Sequence, residues 1–388
     1  MIYECLETVL FINHNTKKKM YLTNIKLSNF KTYADLDVDF CSNVNCLVGN
    51  NGVGKTNLLD AIYYLSFCKS FFNPIDGMNI RQGEEFFAIH GNYAFDNENV
   101  MVSCIQKKGQ PKQMRWCKKA YKALGEHIGR LPLVIISPND QNIIQGGSDG
   151  RRKFIDGVIS QADKNYLNHL LQYQKAIDQR NRLLKQFYEE RQWDEASISI
   201  WDEQLVRYGE MLYQSRMDFL KDFLPLFDEY FSWISNSAEH ASVNYITRAE
   251  VPLAQQLIEA RQADKYAQYT TVGPHKDDLE LMIGDFNVKK FGSQGQQKTF
   301  VLALKLAQFE YIYQRCGMKP ILLLDDIFDK LDMTRVTQLV HLVGSDRFGQ
   351  VFLTDTQPGR IENIFAEIPQ VEHIIFQVTN GAIQKINQ

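Results

Sequence analysis

The sequence predicts an α/β nucleotide-binding core of mixed sheets and helices, interrupted by an all-helical segment. Three observations predict it. Gly49 to Thr56 reads G-N-N-G-V-G-K-T between a short apolar run and an apolar-periodic segment. Ile321 to Leu324 is a second apolar run, and it ends in Asp325-Asp326. Between the two, from Arg151 to about Glu239, the chain carries helix-period segments and no strand signal.

The first motif fits G-x-x-x-x-G-K-[ST] at every fixed position. Val44 and Cys46 to Val48 predict the strand before it. Leu58, Leu59, Ala61, Ile62 and Leu65 predict the helix after it, and strand, loop, helix is the context a phosphate-binding loop requires. Glycines let backbone N–H groups curl around phosphate oxygens, and the new helix points its positive end at the same oxygens. Lys55 adds a point charge near the outer phosphates, and the Thr56 hydroxyl can complete a Mg²⁺ shell. The expected cofactors are ATP and Mg²⁺. The expected contact set is Gly49, Asn50, Asn51, Gly52, Val53, Gly54, Lys55, Thr56 and Asn57.

Bulk properties narrow the class. A chain of 388 residues holds two domains, or one domain with a large insertion. Its 44% hydrophobic and 23% charged content is that of an ordinary globular protein. The net charge of −3 excludes a global basic field, so any nucleic-acid surface must be a local patch. Seven scattered cysteines, with no C-x-x-C and no zinc spacing, predict reduced thiols in the cytoplasm rather than a disulfide framework. No apolar run reaches transmembrane length, so no membrane contact is expected. Residues 1–19 differ from the rest: Glu4 and Glu7 sit inside the only apolar part, and Lys17 to Lys19 follow it. That is the reverse of a secretory signal. A poorly ordered upstream extension is expected there, with Met20 as the natural start.

From Tyr21 to Val48 the alternation is strand-like. Leu22, Ile25 and Leu27, then Leu36, Val38 and Phe40, predict two strands joined by a turn near Asn29 to Asp35. Phe30, Lys31 and Tyr33 either stack on and pair with the nucleotide or simply anchor that turn. Ile89 to Ile105 continues as strands, split at Asp96 to Asn99. Lys107, Lys108, Lys112, Arg115, Lys118, Lys119 and Lys122 then form a basic window without one acid, interleaved with Trp116 and Tyr121. A DNA backbone is its expected partner, the alternative being a solvated hairpin. Leu131 to Ile136 reads as a buried strand.

Breaks near Asp163 and Asp194 to Ser199 divide the following segment into three or four helices. Residues 151–191 carry nine cations against five acids, and residues 192–240 carry three against ten. Opposite signs favour antiparallel packing of successive helices, while the basic half, led by Arg151 and Arg152, is also a candidate DNA face. Strand character returns at Val243 to Ile246 and Leu279 to Ile283. Between them Thr271 to Asp278 reads as a polar Gly-Pro turn, with Asp277 and Asp278 as capping residues.

Ser293-Gln294-Gly295-Gln296 precedes a long helix pattern, Phe300 to Tyr313, and so forms an anion site at a helix N-terminus. The strand ending at Asp325-Asp326 supplies the remaining chemistry. Asp325 is expected to hold Mg²⁺ through water, and Asp326 to polarise the attacking water as the catalytic group. Asp329 to Asp332 follows as a short acidic loop, and Gln350 to Asp355 as a further strand.

This order resembles the ATP-binding-cassette (ABC-type) ATPase heads. In that family Ser293, Gln294, Gly295 and Gln296 would be the signature that completes the nucleotide site of the opposite subunit, which implies an ATP-dependent homodimer. The implied organisation is an upstream extension (1–19), a head in two parts (20–148 and 243–388), and an inserted helical arm domain (149–242). The pieces NFKTY (Asn29 to Tyr33), GNNGVGKTN, RRKFID (Arg151 to Asp156), GPHKDDL (Gly273 to Leu279), GSQGQQKT (Gly292 to Thr299) and LLLDDIFDKLD (Leu322 to Asp332) are together similar to the RecF family of bacterial recombination proteins. The resemblance implies a DNA replication and repair ATPase that binds double-stranded DNA and single-strand gap junctions. It also implies action with RecO and RecR to help load RecA, with slow, DNA-stimulated hydrolysis releasing the clamp. Two positions depart from the wider cassette pattern. Asp326 stands where many heads have glutamate, and Thr354-Asp355 stands where a switch histidine is usual. Gln141, after Pro138-Asn139-Asp140, is the candidate for the Q-loop glutamine. The competing readings are a short-armed chromosome-structuring or overcoming-lysogenisation-type ATPase and a transport ATPase. Up-and-back folding of the insertion reaches only about 60 Å at 1.5 Å per residue, which argues against a long coiled coil.

Overall fold

The computed structural model describes residues 19–96, 98–235, 239–327 and 347–386. The expected upstream extension, apart from Lys19, and the acidic loop at 329–332 lie outside them.

Two six-stranded sheets and one three-stranded sheet form the scaffold of the described residues. The first sheet is antiparallel, in the order β2 (Tyr33–Asp39), β1 (Met20–Phe30), β4 (Phe86–Phe95), β5 (Glu98–Lys107), β6 (Gln113–Trp116) and β7 (Lys119–Ala120). A register shift between Leu22 and Asn24 lets Leu22 and Ile25 both face the core despite their odd spacing. The turn between β1 and β2 is shorter than expected, and Phe30 and Tyr33 close it as buried residues. Phe30 packs edge-on against Tyr64 and Phe87 and is fully buried, so it anchors the turn and cannot stack on a base.

The second sheet runs β15 (Ala382–Lys385), β14 (His373–Thr379), β3 (Val44–Val48), β13 (Val351–Asp355), β12 (Ile321–Leu324) and β8 (Leu133–Ile136). All pairs except β14–β15 are parallel. Its inner strands are covered on both faces, which is why they read as unbroken apolar runs. Leu47 and Leu323 face a cluster shared with the first sheet and with α1 (Lys55–Phe67). Cys46, Leu322 and Leu324 face a second cluster shared with the helical segment. Because β3, β13 and β12 are parallel neighbours, the glycine-rich loop and Asp325 emerge from the same edge.

After α2 (Asn142–Gln145), three helices fill the predicted all-helical stretch: α3 (Ser148–Ala162), α4 (Lys164–Glu190) and α5 (Glu195–Ile234). Asp163 and Asp194 are the breaks, and each caps the next helix by accepting two backbone N–H groups. The 40-residue α5 is about 60 Å long at 1.5 Å per residue. Helix α6 (Leu253–Ala267) is not foreseen by the sequence pattern, because its Gln- and Ala-rich turns between two strands present a weak apolar stripe. The third sheet, β11 (Phe286–Asn287), β10 (Asp278–Ile283) and β9 (Ala241–Ile246), follows it in space. Short α7 (Val288–Phe291) leads into α8 (Gln294–Cys316), which packs against α5, and α9 (Pro358–Glu367) precedes β14. Among the described residues no helix is long and apolar enough to cross a membrane.

Buried ion pairs tie the helices of this segment to one another and to the elements that follow it. Fully buried Arg180 on α4 reaches Asp202 on α5 at 2.6 Å and Asp264 on α6 at 2.5 Å. Arg216 on α5 reaches Asp156 on α3 at 2.9 Å and Asp277 at 3.4 Å. The Asp277 backbone N–H caps the short 3₁₀ turn Pro274–Lys276, while the carboxylates of Asp277 and Asp278 are engaged by other side chains. Asp277 bonds Tyr245 and Arg216, and Asp278 holds Arg151 through two contacts of 2.6 and 2.9 Å.

Removing one member of a buried pair leaves an unpaired charge in a low-dielectric interior. Asp264→Ala leaves the buried Arg180 guanidinium one carboxylate, Asp202, in place of two and should cost up to about 3–5 kcal/mol, read as a lowered urea midpoint in an equilibrium unfolding series.

Candidate functional site

The glycine-rich loop follows β3 and opens into α1 through Gly54, whose φ is 117°. A β-carbon there would meet Thr32 Oγ1 at 2.9 Å, and one on Gly49 would meet the Val378 carbonyl at 2.5 Å. Both glycines are therefore required by close approach as well as by backbone angle. No side chain caps α1, so the first-turn N–H groups remain available to an anion. Lys55 is buried and folds back to donate to the carbonyls of Gly49 at 2.8 Å and Asn50 at 3.0 Å. The adjoining β1–β2 turn braces the loop: Tyr33 donates to the Gly54 carbonyl at 3.0 Å, and Asn57 donates to Thr32 at 3.0 Å.

The two halves of the site meet at Asp325. Thr56 donates to Asp325 Oδ1 at 3.0 Å, and so does Thr354 at 3.0 Å. The Thr56 hydroxyl and the Asp325 carboxylate thus bring hard oxygen donors side by side, and the donor set fits Mg²⁺, with Thr56 as a ligand and Asp325 holding the ion through water. Burial is the main reason the Asp325 carboxyl is raised to about 6, with the neighbouring Asp326 charge adding to it. Asp326 has φ 46°, a conformation that Asp tolerates better than most residues. Its N–H donates to Thr354 Oγ1 at 2.8 Å, and its Oδ1 lies 3.2 Å from the same hydroxyl. Thr354, where a switch histidine is usual, therefore touches both acids. Sequence reasoning notes its position but not this role, which needs the adjacency of β13 and β12.

Asp326 and Gln141 line the same small cavity, together with Ser137, Lys298 and Val301. Gln141 ends a short 3₁₀ turn (Pro138–Gln141), and the neighbouring Asp140 is locked to Lys305 at 2.9 Å. Ser293 caps α8 in a reciprocal box with Gln296, at 2.8 and 3.2 Å. Lys298 shares the cavity of Asp326, and Ser293 lies five residues farther along α8, about 7 Å beyond it at 1.5 Å per residue. Ser293 and Gln294 are exposed at that outer end, with Gly295 and Gln296 half-buried behind them.

The basic candidates separate into two groups. Lys112 is turned inward, donating to Asp76 and the Cys68 carbonyl, each at 2.7 Å. Arg151 is buried on Asp278, and Arg152 donates to the Asp277 carbonyl at 2.7 Å. As candidates for DNA contact these three are corrected, because their donors are engaged by internal acceptors. Trp116 and Tyr121 are likewise half-buried under Arg130, with His127 packed beside them. Lys107, Lys108, Lys118, Lys119 and Lys122 remain exposed, and Arg115 is half-exposed beside Gln113. Cys117 and Lys118, both at positive φ, form the tight tip between β6 and β7 that presents them.

A glycine-rich phosphate loop, a buried aspartate ending a parallel strand of the same sheet, and a helix opened by Ser293 at an exposed N-terminus define a P-loop ATPase with an ABC-type head. A family model described as an AAA ATPase domain matches residues 20–244. The chain is 46% identical to the DNA replication and repair protein RecF of Phocaeicola vulgatus, over 94% of this chain and 98% of the relative. It is 47% identical to that of Flavobacterium johnsoniae, over 92% and 99%. The chain belongs to the RecF family of DNA replication and repair proteins. A solved structure of the recombination mediator protein RecF–ATP of the RecFOR pathway shares its fold at a TM-score of 0.87 and 31% identity, covering 97% of this chain and all of that one. The Smc head domain of Pyrococcus furiosus shares the fold alone, at 0.55 and 15%, covering 95% and 96%.

The raised Asp325 carboxyl has a definite linkage sign. The folded chain binds that proton more tightly than the unfolded chain, so the group's contribution favours folding most below about pH 4 and declines as pH rises to about 6. Asp325→Asn should remove this loss and stabilise the nucleotide-free protein at pH 7 by up to about 3 kcal/mol. Paired urea titrations at pH 4.5 and 7.5 measure it, and an equal effect at both would refute the assignment.

Proposed function

We propose that this protein is an ATP-gated DNA clamp of replication and recombinational repair. It binds ATP with Mg²⁺, pairs head to head with a second copy, and holds double-stranded DNA and single-strand gap junctions. It acts with RecO and RecR to help load RecA, and slow, DNA-stimulated hydrolysis releases it. The observation that carries this reading is the Thr56–Asp325–Thr354 connection beside an outward-facing signature at Ser293. Membership of the RecF family, and the ATP and RecFOR pathway named for its solved member, support it.

Each residue has a task. The loop N–H groups from Gly49 to Asn57 bind the phosphates, and Lys55 exchanges its two carbonyl acceptors for phosphate oxygens. Mg²⁺, when bound, neutralises charge on the phosphates. Thr56 would hold it directly and Asp325, already ionised near pH 7, through water. Asp326 orients and polarises the attacking water. An aspartate is one methylene shorter than the glutamate of many heads, so it holds water farther off and suits a timer rather than a motor. Thr354 keeps Asp326 in place and stands where it can report the state of both acids. Ser293, exposed at the outer end of α8, serves the second copy's nucleotide.

Sedimentation of the protein on a gapped duplex, with and without ATP and Mg²⁺, tests the reading. An ATP-dependent dimer on DNA is expected; a monomer that binds ATP and ignores DNA would overturn the function while leaving the site. Ser293→Arg should leave ATP affinity intact and abolish the dimer, whereas Lys55→Ala should lose both. Neutralising Lys118, Lys119 and Lys122 together should weaken DNA binding and lower the log–log salt slope by about 0.9 for each phosphate no longer neutralised. An unchanged slope in filter binding would make the hairpin a solvated surface only.

A further inference from the structure

Two exposed apolar pairs lie beside the two halves of the nucleotide site, and the site as described uses neither. On one side Phe286 and Phe291 are 65% and 68% exposed, with ring centroids 6.0 Å apart. They precede the signature directly, since Phe291 is two residues from Ser293 and so within about 7 Å of it. Lys289 and Lys290 between them are exposed, with Lys289 Nζ donating to the Gly146 carbonyl at 3.0 Å. On the other side Ile75 and Met78 are 64% and 67% exposed. They belong to the segment that pairs with the end of β1: the Lys31 N–H donates to the Asn79 carbonyl at 3.0 Å, and the Arg81 N–H donates to the Asn29 carbonyl at 2.8 Å. Thr32 is the next residue, and it abuts Gly54 and Asn57 of the phosphate loop. Exposed Glu84 and Glu85 follow in the same segment, with Asn29 donating to Glu84 at 3.3 Å and Lys108 pairing with Glu85 at 3.8 Å.

One patch is thus apolar and basic beside the signature, and the other is apolar and acidic beside the phosphate loop. Exposed aromatic pairs on a soluble surface are unfavourable unless something covers them. Resting on the pairing of two copies proposed above, we infer that the Phe286–Phe291 patch of one copy docks on the Ile75–Met78 patch of the other. The occupant is a second copy of this chain. Two-fold symmetry makes the contact twice, once beside each nucleotide. The charge signs match, Lys289 and Lys290 against Glu84 and Glu85, and they set which face meets which. Any pairing that puts Ser293 on the partner's nucleotide also brings Phe291 to that rim, because two residues of chain allow no other distance. The patches therefore make closure specific for a second copy correctly turned, and they tie dimer strength to residues that touch no phosphate.

Analytical ultracentrifugation with ATP and Mg²⁺ tests this, beside a nucleotide-binding titration of each protein. Phe286→Ser with Phe291→Ser, and separately Ile75→Ser with Met78→Ser, should keep wild-type ATP affinity and weaken the dimer at least about tenfold, the loss of about 1.4 kcal/mol expected of a central apolar contact. Mixing the two variants is the diagnostic step. A mixed dimer holds one contact mutated on both sides and one contact fully intact, so dimer should partly return. Variants that dimerise like wild type, or a mixture that recovers nothing, would overturn the pairing of these patches. Loss of DNA affinity with an unchanged dimer would also overturn it and assign the phenylalanines to nucleic acid. If wild type itself fails to dimerise with ATP, the clamp reading fails, and the patch inference falls with it.

Discussion

Two threonine hydroxyls converging on one buried carboxylate hold the site together. Thr56 opens the helix after the phosphate loop, and Thr354 ends the strand between the loop strand and the strand of Asp325. The link works because β3, β13 and β12 are parallel and adjacent, so all three end at one edge. A carboxylate at such an edge lies below solvent, where its charge is costly without a partner. The hydroxyls soften that cost but do not cancel it, and the Asp325 carboxyl stays raised. A divalent cation would complete what the two hydroxyls begin. The site is in this sense poised: its own groups are slightly unfavourable together until the charge they are built for arrives.

The same logic runs through the helical segment with the opposite outcome. Arg180 and Arg216 are buried, but each finds two carboxylates supplied by different elements. Arg180 ties α4 to α5 and α6, and Arg216 ties α5 to α3 and to the turn before β10. Buried ion pairs contribute little net stability compared with apolar substitutes, yet they are intolerant of losing one member. Here they also define register, since only one alignment of the helices brings every guanidinium to its acids. Of these pairs, only Arg180–Asp202 joins a cation of the basic half to an acid of the acidic half, so these contacts set helix register without accounting for the imbalance of charge along the sequence.

Surface charge behaves differently again. The basic window reads as one feature in the sequence, but the fold divides it. Lys112 falls on the inner face beside Asp76, while Lys118 rides the tip of a hairpin. Trp116 and Tyr121 alternate with the cations in sequence but turn into the sheet, so they are unavailable for stacking on bases. A count of cations overstates what a polyanion would meet, because a lysine whose donors are used internally presents little field outside.

The sequence by itself determined whatever depends on local pattern. The glycine-rich loop, the strand–loop–helix order, the apolar strand ending at Asp325, the breaks near Asp163 and Asp194 and the absence of strands between them were all legible. Each is specified by residues within a few positions of one another, through backbone angle, capping or apolar period. Tertiary structure alone decided whatever depends on which distant elements lie side by side. That Thr354 holds both acids, that the carboxylates of Asp277 and Asp278 pair with arginines, and that Phe30 is core rather than base platform all follow from neighbours far away in sequence. So does the division of the cations into those engaged internally and those exposed to solvent. A side chain's role is set by the acceptors and donors within about 3 Å of it, and spacing along the chain does not encode those neighbours until the sheets and helices have assembled.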